Sequence, residues 1–269
     1  MEKLKEKSIR LIIDTAIKGF VKGFELRHNS EVDDPSGTIN AKKNNCFISV
    51  LGEEFIFYSA FVRSFDSSFG NLLEDIGNQI ATFSYKTDKV IHSYILTEQT
   101  QYIGSLLDKY EDHICKPSKE HYESFFVVPP KDKTSFKTQH VCDNWFYDEG
   151  SKTHYLVELK AGGDLDNKKA KSEKMALLKE YFMLKNIIPN GQKIFIYFAT
   201  AYNKFGEHNA WHQANVERFF SAEELLIGKD YWNFVCNDEK GFDIVFDQYK
   251  ISAQYIKDAL VRIRNKYGC

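Results

Sequence analysis

The residues from His140 to Gly163, HVCDNWFYDEGSKTHYLVELKAGG, concentrate the side chains best suited to chemistry. Asp143 is followed after fourteen intervening residues by Glu158, and Lys160 lies two further on. Two carboxylates offer hard oxygen donors to a divalent cation such as Mg²⁺, which takes oxygen ligands at about 2 Å. A metal held this way polarises a phosphate and acidifies a bound water. A nearby lysine orients that water and offsets negative charge developing on the phosphate. These types together suit hydrolysis of a phosphodiester. An ion pair on a solvated strand uses the same types, and short Asp…Glu-x-Lys matches are common, so spacing alone leaves both readings open.

The elements that must position these groups are two strands and a turn. Asp148, Glu149, Gly150 and Ser151 are turn formers between two aromatic-rich runs. Folding about them pairs Phe146 with Thr153, Asn144 with Tyr155 and Asp143 with Leu156. Side chains alternate along a strand, and opposed residues share a face. Asp143, Leu156, Glu158 and Lys160 therefore point one way. Cys142, Tyr155, Val157 and Leu159 point the other, the more apolar way. Asp143 and Glu158 become diagonal neighbours, about 7 Å apart at the backbone.

The flanking segments are polar where they leave the strands. Ala161 to Lys169, AGGDLDNKK, is a glycine-opened loop leading into a helix, with Asp164 or Asp166 as its cap. Lys168, Lys169, Lys171, Lys174 and Lys179 form a basic run, suited to phosphate contact or simply a solvated helix face. Lys193 to Ala199, KIFIYFA, is a buried central strand, and it runs into the polar loop TAYNKFGE at Thr200 to Glu207. Upstream, Ser64 to Glu74 opens a helix that continues to about Phe83, capped by Ser or Asp. Glu74 on its opening turns is a further acid, able to serve the same face or simply to meet solvent.

At this point the sequence resembles a known family, the type II restriction endonucleases of the PD-(D/E)xK superfamily. The closer resemblance is to the TdeIII-like enzymes, associated with GGNCC-type sites. It is carried by VRSFDSSFGNLLEDIGNQIA (Val62–Ala81), CDNWFYD (Cys142–Asp148) and YLVELKAGGDLDNKKAKSEKMALL (Tyr155–Leu178). IYFATAYNKFGEHNAW (Ile196–Trp211) and FFSAEELLIGKDYWNFVC (Phe219–Cys236) add to it. The resemblance implies that Asp143 and Glu158 bind Mg²⁺, that Lys160 is the catalytic lysine, and that Glu74 holds the place of a helical acid. It departs from the nominal motif at Cys142, where that motif has proline.

What the resemblance implies is a Mg²⁺-dependent enzyme cutting both strands of DNA at a short palindrome, GGNCC or a subset such as GGWCC. A two-fold symmetric site is met by a homodimer with one active site per strand. A cognate DNA methyltransferase would protect the host, and the expected location is the cytoplasm of a prokaryote. Expected DNA contacts are Asp164, Asp166, Asn167, Lys168, Lys169, Tyr202, Asn203 and Lys204. Two other classes stand beside this expectation: a PD-(D/E)xK nuclease of repair or structure-specific type, and a catalytically inactive DNA-binding module.

Composition bounds the answer. At 269 residues, 43% hydrophobic and 28% charged, the chain is an ordinary globule, read as one domain over 1–269 with its catalytic core at about 62–211. No apolar run nears the roughly 20 residues of a membrane span, and no membrane partner is expected. Met1 to Arg10 lacks the long apolar core of a signal peptide. Five scattered cysteines without a CxxC suit reduced thiols. The net charge of -2 neither requires nor forbids DNA binding, since local patches govern phosphate contact. His208 and His212 have helical ligand spacing but no clear third partner. No GxGxxG or Walker A pattern is present.

The expected layout is α/β: a PD-(D/E)xK restriction-endonuclease-like core with a mixed central sheet flanked by helices, and additional helices at both ends. Helices are expected at 2–25, 46–63 (where the aromatic content also permits a strand), 65–83, 98–111, 168–186, 213–226 and 251–266. A strand is expected near 88–96, and Pro117 and Pro129-Pro130 bracket irregular chain.

Overall fold

The computed structural model describes residues 1–34, 36–127 and 138–267. Pro129-Pro130 falls outside the described residues. In chain order the elements are α1 (Lys3–Asp33), α2 (Thr38–Lys43), α3 (Cys46–Ser49), α4 (Glu53–Ala81), β1 (Lys86–Ser93), α5 (Thr97–Glu111) and α6 (Glu120–Glu123). There follow β2 (Thr138–Asp148), β3 (Thr153–Lys160), α7 (Asn167–Lys185), β4 (Lys193–Thr200), α8 (Ala214–Glu217), β5 (Leu225–Ile227), α9 (Lys229–Cys236) and α10 (Gly241–Tyr267). Where the sequence shows no linker, the chain divides into two compact units, Met1–Ile80 with Asp243–Cys269, and Ala81–Phe242.

The first unit is helical. Ile9, Ile13, Ile17, Val21 and Phe24 form one buried stripe on α1, the spacing of an amphipathic helix. The stripe carries α1 past the expected end at residue 25, and the helix stops where Asp34, extended at φ -92° and ψ 109°, precedes a proline. On α4 the phenyl rings of Phe57, Phe61 and Phe65 recur every four residues. Phe24 meets Phe61 and Phe65 edge-on at 5.4 and 5.7 Å between ring centres. This stripe runs through the Ser64–Ser68 stretch, so α4 is one helix of 29 residues. The expected start near Ser64 is corrected: its serines and Asp66 are interior helical positions, not caps.

The second unit is built on a five-stranded sheet in the order β1-β2-β3-β4-β5. The β1–β2 and β2–β3 pairs are antiparallel, and β3–β4 and β4–β5 are parallel. This is the mixed sheet flanked by helices expected from the sequence. Helix α7 makes the crossover between the parallel strands β3 and β4, as that geometry requires. Its Leu177, Leu178, Phe182 and Leu184 share one core with Leu156, Ile196 and Phe198 of the sheet and Ile103, Leu106 and Leu107 of α5. The opposite face carries aromatic rings: Tyr155 lies 5.1 Å from Phe234 of α9, and Tyr85 lies 5.9 Å from Phe146. Both faces are thus covered, which is why β3 and β4 read as nearly continuous apolar runs. The helix expected at 213–226 is instead α8, a short 3₁₀ turn at Ala222–Glu224 and strand β5. Strand β5 adds to the sheet edge beside Phe198–Thr200.

One charged pair lies inside this unit. Lys174 of α7 is wholly buried and ion-paired with Glu224, which is 2% exposed. Glu224 also accepts hydrogen bonds from Tyr122 Oη (2.8 Å) and Ser221 N (2.8 Å), while the Lys174 ammonium sits 4.8 Å from the Phe220 ring centre. Burial holds the Lys174 pKa below the ordinary lysine range, against the pull of Glu224. Lys174 therefore leaves the basic run expected on α7: it faces the core, not DNA. A buried pair is costly to break because the survivor is left charged and unpaired. Lys174→Met should lower stability by about 3–5 kcal/mol in urea unfolding, and Lys174→Met with Glu224→Met should recover most of it. A single-variant loss under about 1 kcal/mol would show that the pair is not a structural lock.

Candidate active site

The hairpin turn sets everything downstream. Asp148 Oδ1 accepts hydrogen bonds from the backbone N–H of Gly150 (2.9 Å) and Ser151 (3.3 Å), and Lys152 takes the left-handed conformation at φ 54°. The loop therefore occupies four residues, 149–152, and Asp148 pairs with Thr153. The pairing runs through Phe146↔Tyr155 and Trp145↔Leu156 to Asn144↔Val157, two residues away from the register expected from the sequence. A shift of two preserves every face, where a shift of one would have exchanged them. The ladder ends at Asn144↔Val157, one residue short of Asp143 and Glu158, and so brings these two acids to neighbouring positions on the two strands.

The other edge of β2 adds a bulge. Asp88 pairs with Trp145 and Val90 with Val141, so Cys142, Asp143 and Asn144 stand against the single residue Lys89. A bulge re-aims side chains and is frequent beside active sites. It accounts for Cys142 joining the core that holds Leu156 and α7, where simple alternation placed it on the opposite face.

Asp143, Glu158 and Lys160 are brought together. Glu158 is 7% exposed, shares a hydrogen bond with the Asp143 carboxyl, and is ion-paired with Lys160. Burial pushes the Glu158 pKa far above the usual carboxylate range, against the pull of Lys160, and the Asp143 charge adds to the rise. Lys160 also reaches Glu173 Oε1 of α7 at 3.2 Å. Burial works against its ammonium, but Glu158 and Glu173 more than offset this and hold its pKa above that of an ordinary lysine.

Two acids that sequence reasoning missed complete the surroundings. Glu173 and Glu180 lie seven residues apart on α7, hence on the same side of the helix. Glu180, 4% exposed, bonds His140 Nε2 of β2 at 3.0 Å. Burial raises its pKa, His140 opposes the rise, and the charges of Asp143 and Glu173 add to it. The signal for Glu180 was present: an acid set within Leu177-Leu178 and Tyr181-Phe182 has to be paired if it is buried.

No three His, Cys, Asp or Glu side chains among the described residues form a ready-made metal cage. The donor set nonetheless suits a hard divalent cation. Asp143 and Glu158 are two neighbouring carboxyl groups, and a cation held between them would relieve the repulsion that helps to raise the Glu158 pKa.

At the ends of β3 and β4 the two polar loops meet. A side chain at Gly162 would lie 2.5 Å from Tyr202 Oη, and one at Gly163, whose φ is +70°, would lie 2.6 Å from Thr200 Cγ2. The glycine pair lets the loops approach. Asp166 is the cap of α7, accepting from Lys169 N at 2.8 Å. Asp164 Oδ1 accepts from Lys204 Nζ (3.0 Å) and Gln213 Nε2 (2.7 Å). Lys168, Lys169 and Tyr202 are exposed. The Asn167 amide is engaged with Glu111 and Arg218, and the Asn203 side chain with Asn209 O and Phe205 N, so both hold the loop framework. Lys171 is paired with Asp108 and Glu111. Glu74 lies on α4, in the first unit.

The state of Glu158 has a consequence for stability. Its pKa is raised in the folded chain, so the metal-free fold keeps a proton that the unfolded chain sheds. Stability must then fall as pH rises above the ordinary carboxylate range, by up to about 1.4 kcal/mol per pH unit. Glu158→Gln should remove this slope. Urea unfolding in EDTA from pH 5 to pH 9 should show the variant gaining on the native chain as pH rises; parallel curves would mean that Glu158 is ionised in the metal-free protein.

Comparison with known proteins places the chain. Residues 5–252 match the family described as "Type II restriction endonuclease, HinfI". No curated protein and no solved structure shows significant similarity to it. The matched family is HinfI rather than the TdeIII-like group of the residue resemblance, and the type II restriction endonuclease class is common to both. The match spans nearly the whole chain and so includes the hairpin, both polar loops and α7, and on it the chain belongs to the HinfI family of type II restriction endonucleases, site-specific deoxyribonucleases acting on double-stranded DNA.

Proposed function

We propose that Asp143, Glu158 and Lys160 form the active site of this restriction endonuclease and that Mg²⁺ is its cofactor. The observation that carries the proposal is the convergence of the two hydrogen-bonded carboxylates with the Lys160 ammonium on one face of the hairpin. Asp143 and Glu158 would hold the metal, which when bound supplies an acidified water and a polarised phosphate.

The chain's own groups do the rest. With its pKa above the ordinary lysine value, Lys160 stays charged near neutrality, so it acts as a hydrogen-bond donor and counter-charge to the phosphate rather than as a base. Glu173 is its positioning residue, holding the ammonium from α7 while Glu158 holds it from the strand. Glu180 and His140 tie α7 to β2 close to Asp143. Exposed Lys168, Lys169 and Tyr202, with Asp166 and Lys204, supply the DNA contacts, Asp164 lies among them bonded to Lys204 and Gln213, and Asn167 and Asn203 shape the loops that carry them.

The target is a short palindrome, for which GGNCC or GGWCC is the first candidate because of the residue resemblance. The enzyme acts as a homodimer, one active site per strand, since a two-fold site calls for a two-fold protein. A cognate methyltransferase protects the host DNA. The enzyme works in a prokaryotic cytoplasm, where the DNA that it acts on would be met.

Lys160→Ala should lower cleavage by about 10²–10³-fold or more while leaving duplex affinity within a few-fold of the native enzyme. Cleavage assays and fluorescence anisotropy on the same preparation give both readouts. Loss of both together would make Lys160 a structural residue, and an active variant would remove it from the site.

A further inference from the structure

The loop that follows β3 and the loop that follows β4 are joined by one exposed carboxylate. Asp164 is 78% exposed, and its Oδ1 receives both the Lys204 ammonium at 3.0 Å and the Gln213 amide at 2.7 Å. The last rungs of the two strands pair Lys160 with Thr200. The clamp therefore stands on the same sheet end as the catalytic lysine, where the DNA backbone must pass on the reading above.

An oxygen that collects an ammonium and an amide N–H is doing what a phosphate oxygen does. The neighbouring polar groups differ. Asn167 and Asn203 are bonded on both sides of their amides within the framework, Lys171 is paired with two acids, and Lys174 is buried. The Asp164–Lys204 pair is solvent-exposed at its acid end, and such pairs contribute little. It is thus easily exchanged for a contact with DNA. Beside it, the buried indole N–H of Trp211, whose ring lies 3.3 Å from where a Gly163 side chain would start, has no acceptor. The loop pair is left with a donor that this arrangement does not satisfy.

We propose that Asp164 is an internal stand-in for a DNA phosphate: in the free enzyme it holds Lys204 and Gln213, and on binding it hands them to the backbone of the duplex. This rests on the active-site reading above. Its effect is to weaken binding to DNA of any sequence, because every duplex must first displace the carboxylate, and so to reserve tight binding for sites with further contacts.

The test is anisotropy with a labelled non-cognate duplex in EDTA, across a range of salt. Asp164→Asn should bind up to about five-fold more tightly than the native enzyme, the fold-change of an exposed ion pair. Lys204→Met should bind less tightly, with a salt slope smaller by about one. Asp164→Asn in the Lys204→Met background should give a clearly smaller gain, the part owed to Gln213, which separates release of Lys204 from a general loss of negative charge. Weaker or unchanged binding by Asp164→Asn, or an equal gain with Lys204 absent, would overturn the stand-in. A native enzyme that binds no duplex at any salt would instead overturn the active-site reading itself.

Discussion

The constraint on which the second unit turns is the burial of Glu158 against Asp143. Two carboxyl groups side by side and largely out of water cannot both ionise without a cation. The chain meets this by holding the Glu158 pKa well above the usual carboxylate range and by setting the Lys160 ammonium against it. The surrounding structure serves this arrangement. The four-residue turn sets the register that brings the two acids to neighbouring positions, the bulge at Cys142–Asn144 lies at Asp143, and β4 pairs along β3 as far as Glu158 and Lys160.

Helix α7 is the second support, and its polar residues are placed for different tasks along its length. Asp166 caps it beside the loop, Glu173 takes the Lys160 ammonium, Lys174 locks it inside the fold through Glu224, and Glu180 ties it to His140 on β2. Its buried face is largely apolar, with Lys174 and Glu180 as the buried charges set into it. Its ion pairs fix where it sits, and with it where Lys160 and the loop before it sit.

How far the sequence discloses this depends on which physical rule governs each part. Apart from Cys142 at the bulge, the faces of the hairpin are legible because strand alternation has a period of two, and the even register error left them intact. The register itself is not, because it depends on Asp148 closing the loop with its side chain and on Lys152 adopting a left-handed backbone. The bulge has no local signature. The Ser and Asp residues near Ser64 look like a cap, yet a phenyl stripe with helical spacing overrides them and makes α4 continuous. The lysines of α7 look like one basic face, but a helix turns 100° per residue, so Lys174 points inward while Lys168 and Lys169 point out. Glu173 and Glu180 acquire meaning only when α7 is laid across the sheet. The restriction endonuclease class is legible from the strings around the hairpin, and the family match over residues 5–252 supports that class while naming HinfI rather than the TdeIII-like group.

The central claim is that this hairpin performs metal-dependent, sequence-specific cutting of both DNA strands. The most direct measurement is to incubate the purified protein with unmethylated phage DNA, with Mg²⁺ and separately with EDTA, and to sequence the fragment ends. The account predicts discrete fragments with Mg²⁺ alone, every end carrying one shared palindromic sequence, GGNCC or GGWCC if the residue resemblance extends to the target. A different shared palindrome would correct the target and leave the mechanism standing. Ends without a common sequence, or equal cutting in EDTA, would contradict the account.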